Sequence, residues 1–474
     1  ARRTAATRVR ERAAPPGRRD LAHPPAARKA PALDALRLER RLRPLFQGLP
    51  PDSGVAVAVI QGDERAVACR GYTDPAAERP VRADTRFELG SITKTFTGLL
   101  LAEMVARGEV RYDDPIDAYL PAGSVPGYPK ERPITLLHLA THTSGLPRHP
   151  VGLLPAALPQ WFTRPCATFN ATHLLRSLPR TPVRGTPGAQ VRYSSLGCGL
   201  LGLLLENAAG SRYEDLLATR VCAPLGMVDT SCGPGGEAGG GYRRGRRVPS
   251  FRIAALPGAA ALRSSADDML RYLQALLAAN GAVGSRLEPL RGMAQPAFQA
   301  DPALRTALGE VRQPRAGRRL GGTRICLGWK QRQIEAAGAA AVAGSARRRA
   351  RGVEALDVAR DAPVVGFGAL EGFEGLRPQG RGVDPGGAGG RRAPGRRGAD
   401  GRLGARERAV AEQQTQSMVF HEGTTRGFVA FAGFDPAAGT GLVAMVSSPP
   451  SRRRGFLQTA YETLRGLATE EPDG

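Results

Sequence analysis

Apolar runs of strand length stand at both ends of this 474-residue chain, with a long and mostly helical stretch between them. Near the start, "SGVAVAVI" (53–60) and "AVACRGY" (66–72) flank Gln61-Gly62-Asp63 in a strand, turn, strand pattern. Near the end, "SMVFHEG" (417–423), "FVAFAGF" (428–434) and "TGLVAMVSS" (440–448) repeat that pattern, the last two joined across Asp435-Pro436-Ala437-Ala438-Gly439. A compact fold therefore has to bring the two ends of the chain together. Strands from both ends can join one antiparallel sheet, with the helical middle forming a second lobe. The fold class this predicts is α+β: an antiparallel sheet flanked by helices, plus a helical lobe, with any site in the crevice between them.

Helical spacing of leucines predicts amphipathic helices over "LDALRLERRLRPLF" (33–46) and "GFLQTAYETLRGLA" (455–468). "RICLGW" (324–329) is expected to be a further strand. Ser211-x-x-Glu214 and Ser265-x-x-Asp268 both match a capping box ahead of leucine-rich helices, the second ending at Asn280-Gly281.

A formal charge of +24 raises the question of nucleic acid, but the charge is concentrated where no core can form. Residues 1–45 carry 13 basic and 4 acidic side chains, and residues 332–410 carry 15 arginines and 9 acids. Both stretches are rich in Arg, Ala, Gly and Pro, a composition that cannot bury enough surface to offset ordering entropy. Residues 1–35 accordingly read as a flexible basic arm, and 331–412, with 11 glycines between 375 and 404, as a low-complexity insertion. Residues 469–474 form a tail. Non-specific adhesion to polyanions is open to such arms; a specific nucleic-acid site is not indicated, since no recognition motif accompanies the arginines. The six cysteines have no C-x-x-C or metal-ligand spacing, so buried free thiols are expected, with Cys222–Cys232 as a minority pairing. No apolar run reaches membrane-spanning length, and no signal peptide is visible; the compartment is left open between cytoplasm and secretion after leader removal.

The chain has 67 Lys+Arg, of which only Lys29, Lys94, Lys130 and Lys330 are lysines. One of these four stands three residues after a serine in "FELGSITKTFTGLLLAEM" (87–104), at the start of a predicted helix running from Ser91 to about Arg107. Arginine stays protonated, whereas a desolvated lysine can give up its proton. At i+3 Lys94 lies on the same helix face as Ser91 and can reach its hydroxyl. Taken alone, the string also fits an N-cap serine with a snorkelling lysine.

Two further segments change that balance. "PGAQVRYSSLGCGLLG" (187–202) sets Tyr193 just before an apolar helix, and "FHEGTTRGFVAFAGFDPAAGTG" (420–441) reads His-x-Gly on a strand. Together with "ITLLHLATHTSGLP" (134–147), "YEDLLATRVCAPLGM" (213–227) and "LRSSADDMLRYL" (262–273), these resemble, in order, the serine β-lactamase-like superfamily of class C β-lactamases, D-Ala-D-Ala carboxypeptidases and related esterases. The resemblance covers residues 36–330 and 413–468. It implies a penicillin-binding-protein-like fold and a serine hydrolase working through an acyl-enzyme on Ser91. Lys94 would activate the serine and Tyr193 would pass a proton to the leaving group. The N–H groups of Ser91 and Thr424 would form the oxyanion hole, beside His421 and Gly423. No metal or organic cofactor is implied, and the partner is a small ester, amide or peptide.

Two positions depart from the family pattern. Ser195 stands where Tyr-x-Asn usually places an amide, and His421 where a lysine is common. Both favour an esterase over a β-lactamase or D-Ala carboxypeptidase. The alternative is a catalytically weak or inactive penicillin-binding-like protein that only binds ligand. His138 and His142, four apart, are read as structural rather than metal-binding because no third ligand lies near them. Asp113-Asp114 and Asp267-Asp268 are read as caps or solvated carboxylates.

Overall fold

The computed structural model describes residues 35–50, 53–62, 64–74, 76, 78–129, 131–153, 168–233, 240–243, 245–250, 253–279, 301–320, 323–334, 416–448 and 453–469. The expected basic arm (apart from residue 35), most of the expected insertion (335–412), Asn280-Gly281 and residues 470–474 of the tail lie outside these.

Eight strands form one antiparallel sheet: β1 (Val55–Gln61), β2 (Glu64–Arg70), β3 (Ala316–Leu320), β4 (Thr323–Ile325), β5 (Lys330–Ile334), β6 (Gln416–Thr424), β7 (Phe428–Asp435) and β8 (Thr440–Ser447). Their order is β2-β1-β8-β7-β6-β5-β4-β3. β1 pairs with β8 from Val55↔Val446 to Gln61↔Thr440, which joins the two ends of the chain. Asp435 shapes the β7–β8 turn by accepting the N–H groups of Ala437 and Ala438 on Oδ1.

Period-two alternation decides which core each side chain enters. Val55, Val57, Val59, Phe420, Phe431, Leu442 and Ala444 face one side, against α1 (Ala35–Phe46) and the C-terminal helix Arg453–Thr469. Ala56, Ala58, Ile60, Val419, Ala430, Ala432 and Val443 face the other, joining the larger core of the helical lobe. At the centre of that core lies α2 (Thr93–Ala106), buried on all sides from Thr93 to Met104. A helix without a polar face needs cover all round, and the Pro257–Ala260 helix, the Ser195–Ala209 helix (α3) and the Pro302–Glu310 helix supply much of it.

Several sequence expectations need correction. "RICLGW" is not one strand: β4 ends at Ile325, and Cys326–Trp329 form a turn in which the Cys326 N–H donates to Trp329 O (2.9 Å) and Gly328 has φ +70°. Leu327 and Gly328 lie against the α2 backbone and Trp329 packs on Tyr272 and Phe434, so burial in a turn imitated a strand signal. β5 then carries the sheet through 331–334, four residues that the sequence had placed in the insertion. Ser211 does not cap the helix Tyr213–Leu217, whose N-cap is Arg212; Glu206 accepts the Tyr213 N–H instead. Ser265 does cap the helix Ala266–Ala278, accepting the Asp268 N–H. Cys69, Cys198, Cys222, Cys232 and Cys326 are free thiols, so Cys222 and Cys232 are unbridged. No helix among the described residues is long and apolar enough to cross a membrane.

Candidate active site

The helix expected from Ser91 begins two residues later. Gly90–Ile92 form a 3₁₀ turn that feeds α2 at Thr93, so Ser91 sits on the tight turn ahead of the helix. The turn is held from behind, where the Leu89 N–H donates to Leu262 O and the Leu262 N–H donates to Thr93 Oγ1. Gly90 adopts φ +52°, and a Cβ there would fall 2.8 Å from the Thr424 nitrogen. Gly423, on β6, would place a Cβ only 1.8 Å from Leu89 O and 3.2 Å from the Ser91 nitrogen. Two glycines therefore let the strand and the serine turn touch backbone to backbone.

Two backbone N–H groups, those of Ser91 and Thr424, lie at that contact. The Ser91 N–H lies in the first turn of a helical segment, where backbone donors have no intrahelical partner. In β6, the Thr425 N–H donates to Phe428 O, which makes 425/428 the bonded pair and turns the Thr424 N–H away from β7. On that outer side β5 pairs with β6 only up to Lys330↔Phe420, so no strand among the described residues covers Thr424. Thr424 is exposed.

Ser91 Oγ receives two hydrogen bonds. Lys94 Nζ donates to it at 3.0 Å and Tyr193 OH at 2.7 Å. Lys94 is 1% exposed, and its second bond goes to Ala259 O at 2.7 Å. The ammonium also lies 5.1 Å from the centre of the Tyr193 ring. Gly328 lets the Cys326–Trp329 turn close over the backbone here, since a Cβ would fall 2.2 Å from Lys94 O. Nothing in "PGAAA" (257–261) marks Ala259 as a partner; only the packing of Gly258 against Gly202 and Thr97 brings its carbonyl there.

Tyr193 precedes α3. Ser194 caps this helix, accepting the Gly197 N–H on Oγ at 2.8 Å while its hydroxyl donates to Pro147 O at 2.7 Å. Ser195 occupies the first helical position, half-buried, and its N–H donates to Arg148 O. His421 points to the same side of β6 as Gly423 and is buried, with Nδ1 2.7 Å from Glu422 O. Burial, followed by the charges of Lys330 and Lys94, holds its imidazole well below its usual value of 6.5, hence neutral. Lys330 itself is engaged with Glu422 at 2.7 Å.

The remaining candidates lie elsewhere in the fold. His138 accepts the Thr135 N–H on Nδ1 as half of a capping box. No group of three metal-ligating side chains occurs among the described residues. Asp114 accepts the Arg111 N–H and the Tyr119 hydroxyl in a turn, and Asp268 accepts the Asp229 N–H and the Thr230 hydroxyl beneath a helix start.

A family model described as Beta-lactamase matches residues 42–465 of this chain. The chain is 33% identical over 233 residues to the D-alanyl-D-alanine-carboxypeptidase/endopeptidase AmpH of Escherichia coli (strain K12), 48% of this chain and 58% of that protein. It is 34% identical over 246 residues to a beta-lactamase of the same organism, 51% of this chain and 60% of that one. It is 30% identical over 294 residues to esterase EstB of Burkholderia gladioli, 53% of this chain and 73% of that one. The matched region thus spans less than two thirds of the first two relatives. A solved class C beta-lactamase superposes with a TM-score of 0.61 at 18% identity, covering 92% of this chain and 96% of that one, a likeness of fold.

Proposed function

The chain belongs to the beta-lactamase family and is a serine hydrolase, and from that premise we propose that it cleaves small esters through an acyl-enzyme on Ser91. The observation that carries this reading is the convergence of Lys94 Nζ and Tyr193 OH on Ser91 Oγ, at 3.0 and 2.7 Å. Two donors aimed at one oxygen stabilise the alkoxide character that attack requires. In the reactive form the pair holds one proton fewer than an ammonium plus a phenol, and Ser91 yields its proton to it as Oγ bonds to the substrate carbonyl carbon. The carbonyl oxygen, now negative, lies against the Ser91 and Thr424 N–H groups. Tyr193 returns the proton to the departing alkoxide as the C–O bond breaks. Water then attacks the acyl group, the pair takes its proton, and Ser91 leaves as the hydroxyl.

The preference for esters rests on two side chains. Ser195 offers one hydroxyl where an amide would hold a substrate carbonyl. His421, neutral and buried, supplies no fixed positive charge for a substrate carboxylate. An ester has a better leaving group than an amide and needs less grip on the acyl side.

A panel of p-nitrophenyl esters together with a fluorescent penicillin tests the proposal. Wild type is expected to release p-nitrophenol with a burst and Ser91→Ala to give none, while the penicillin labels slowly or not at all. Equal rates for the two proteins would reject the hydrolase site. An unchanged intact mass after fluorophosphonate treatment would identify a protein that only binds ligand.

A further inference from the structure

Among the described residues, His142 is one of three non-glycine residues in the left-handed region, with φ +59°. A side chain there is strained, and such strain persists only when surrounding contacts impose it. Three contacts of His142 lead to one place. Its carbonyl accepts the Arg192 N–H at 2.7 Å. Its Nδ1 accepts the Ser194 N–H at 3.3 Å. Its ring lies against the Tyr193 ring, centroids 4.5 Å apart and tilted by 41°. The residues just before, at and just after Tyr193 are therefore each held by a different part of one histidine.

We propose that His142 is the positioning residue for Tyr193: it fixes the backbone on either side of the tyrosine and packs its ring, so that the phenol meets Ser91 Oγ. This rests on the reading of Tyr193 as the proton carrier. An acceptor at Nδ1 requires a neutral imidazole with its proton on Nε2. The surroundings provide that state, since burial and then the charges of Lys94, His421 and Lys330 hold this imidazole well below 6.5. The Cys198 thiol also approaches Nδ1, at 3.8 Å, but it has a second acceptor in Leu139 O at 3.6 Å. The neighbouring residues extend the same clamp: Gly188 N–H donates to Thr143 O, Arg184 N–H to Gly145 O, and the Ser194 hydroxyl to Pro147 O. His142 adds ring-to-ring contact with the tyrosine, whose ring the Arg148 guanidinium also covers at 5.2 Å from its centre. A reacting group displaced by about 1 Å can lose about 10²-fold in rate.

The test compares two substitutions that tolerate the left-handed backbone. His142→Asn keeps an acceptor close to the Nδ1 position, and His142→Gly removes both acceptor and ring. Each is made in the wild-type and Tyr193→Phe backgrounds, and burst rates on p-nitrophenyl acetate are read alongside melting temperature. In the Tyr193 background, the glycine variant is expected to lose at least about tenfold in kcat with KM nearly unchanged, and asparagine to recover to within about threefold. In the Tyr193→Phe background, neither is expected to cost anything further, because an effect exerted through a group vanishes once that group is gone. Equal losses in both backgrounds, or asparagine as impaired as glycine, would overturn the assignment. So would a glycine variant at the wild-type rate while Tyr193→Phe is slow. Tyr193→Phe at the wild-type rate would instead overturn the proton-carrier reading, and this inference with it. If the glycine variant does not fold, asparagine alone decides, a loss above tenfold counting against the proposal.

Discussion

Two groups reach Ser91 Oγ by opposite routes. Lys94 arrives along one turn of helix, three residues away; Tyr193 arrives from 102 residues away, on a loop before another helix. The first approach is local, so the helix that buries Lys94 also aims it. The second exists only because residues 142–148 hold the Tyr193 loop in place through His142, Pro147 and Arg148. One half of the site thus depends on the integrity of α2, and the other on a clamp between two loops. The difference predicts how each half fails.

The sharpest break in the local half is Lys94→Arg. Guanidinium keeps its charge and cannot exchange the serine proton, so the acylation rate is expected to fall about 10²–10⁴-fold. Near-normal burst kinetics would refute the role of the amine. Gly423→Ala attacks the junction that both halves share. Its new Cβ would lie 1.8 Å from Leu89 O, so β6 must withdraw from the serine turn. The loss of an aligned oxyanion donor is expected to lower kcat by about 10²-fold or more. An alanine variant at full activity would mean that the Thr424 N–H is not used.

Acid distinguishes the halves through stability. The folded-state values of His142 and His421 lie well below 6.5, mainly because both are buried. Below that pH the unfolded chain binds protons that the folded one does not. The stability tied to these rings is therefore complete above about 6.5 and is lost as pH falls. The melting temperature is expected to drop between pH 7 and 5, and His421→Asn to make the accompanying fall in unfolding free energy shallower by up to about 1.4 kcal/mol per pH unit, the linkage of one proton. An unchanged slope would mean that the ring is hydrated and charged in the folded protein. The smallest effect belongs to the loop half: Ser194→Ala removes both the α3 cap and the tie to Pro147 O. It should cost about 0.5–2 kcal/mol by denaturant titration, and its activity loss should shrink in a Tyr193→Phe background.

Much of this was legible from residue patterns. Alternating valines and alanines in 55–60 and 428–447 specify strands whose two faces enter different cores, and the structure separates them on that basis. A lysine at i+3 from a serine, in a chain that otherwise uses arginine, marked the local half. The failures share a cause. "RICLGW" is apolar because its turn is buried on α2, and periodicity cannot tell burial in a turn from burial in a strand. Ser211 matched a capping box, yet Glu206 from the preceding helix supplied the acceptor at close range.

The sequence by itself determined the strands at the two chain ends, the helices at 33–46 and 455–468 and the Ser91–Lys94 pair, because those follow from backbone periodicity over a few residues. Only the tertiary structure decided that Ala259 O would receive the Lys94 ammonium, that Gly90 and Gly423 would let the serine turn and β6 meet backbone to backbone, and that His142 would lie against the Tyr193 ring. Each of these is a contact between distant segments whose partner carries no signature of its own. Its position is set by how close two backbones come once the core is packed.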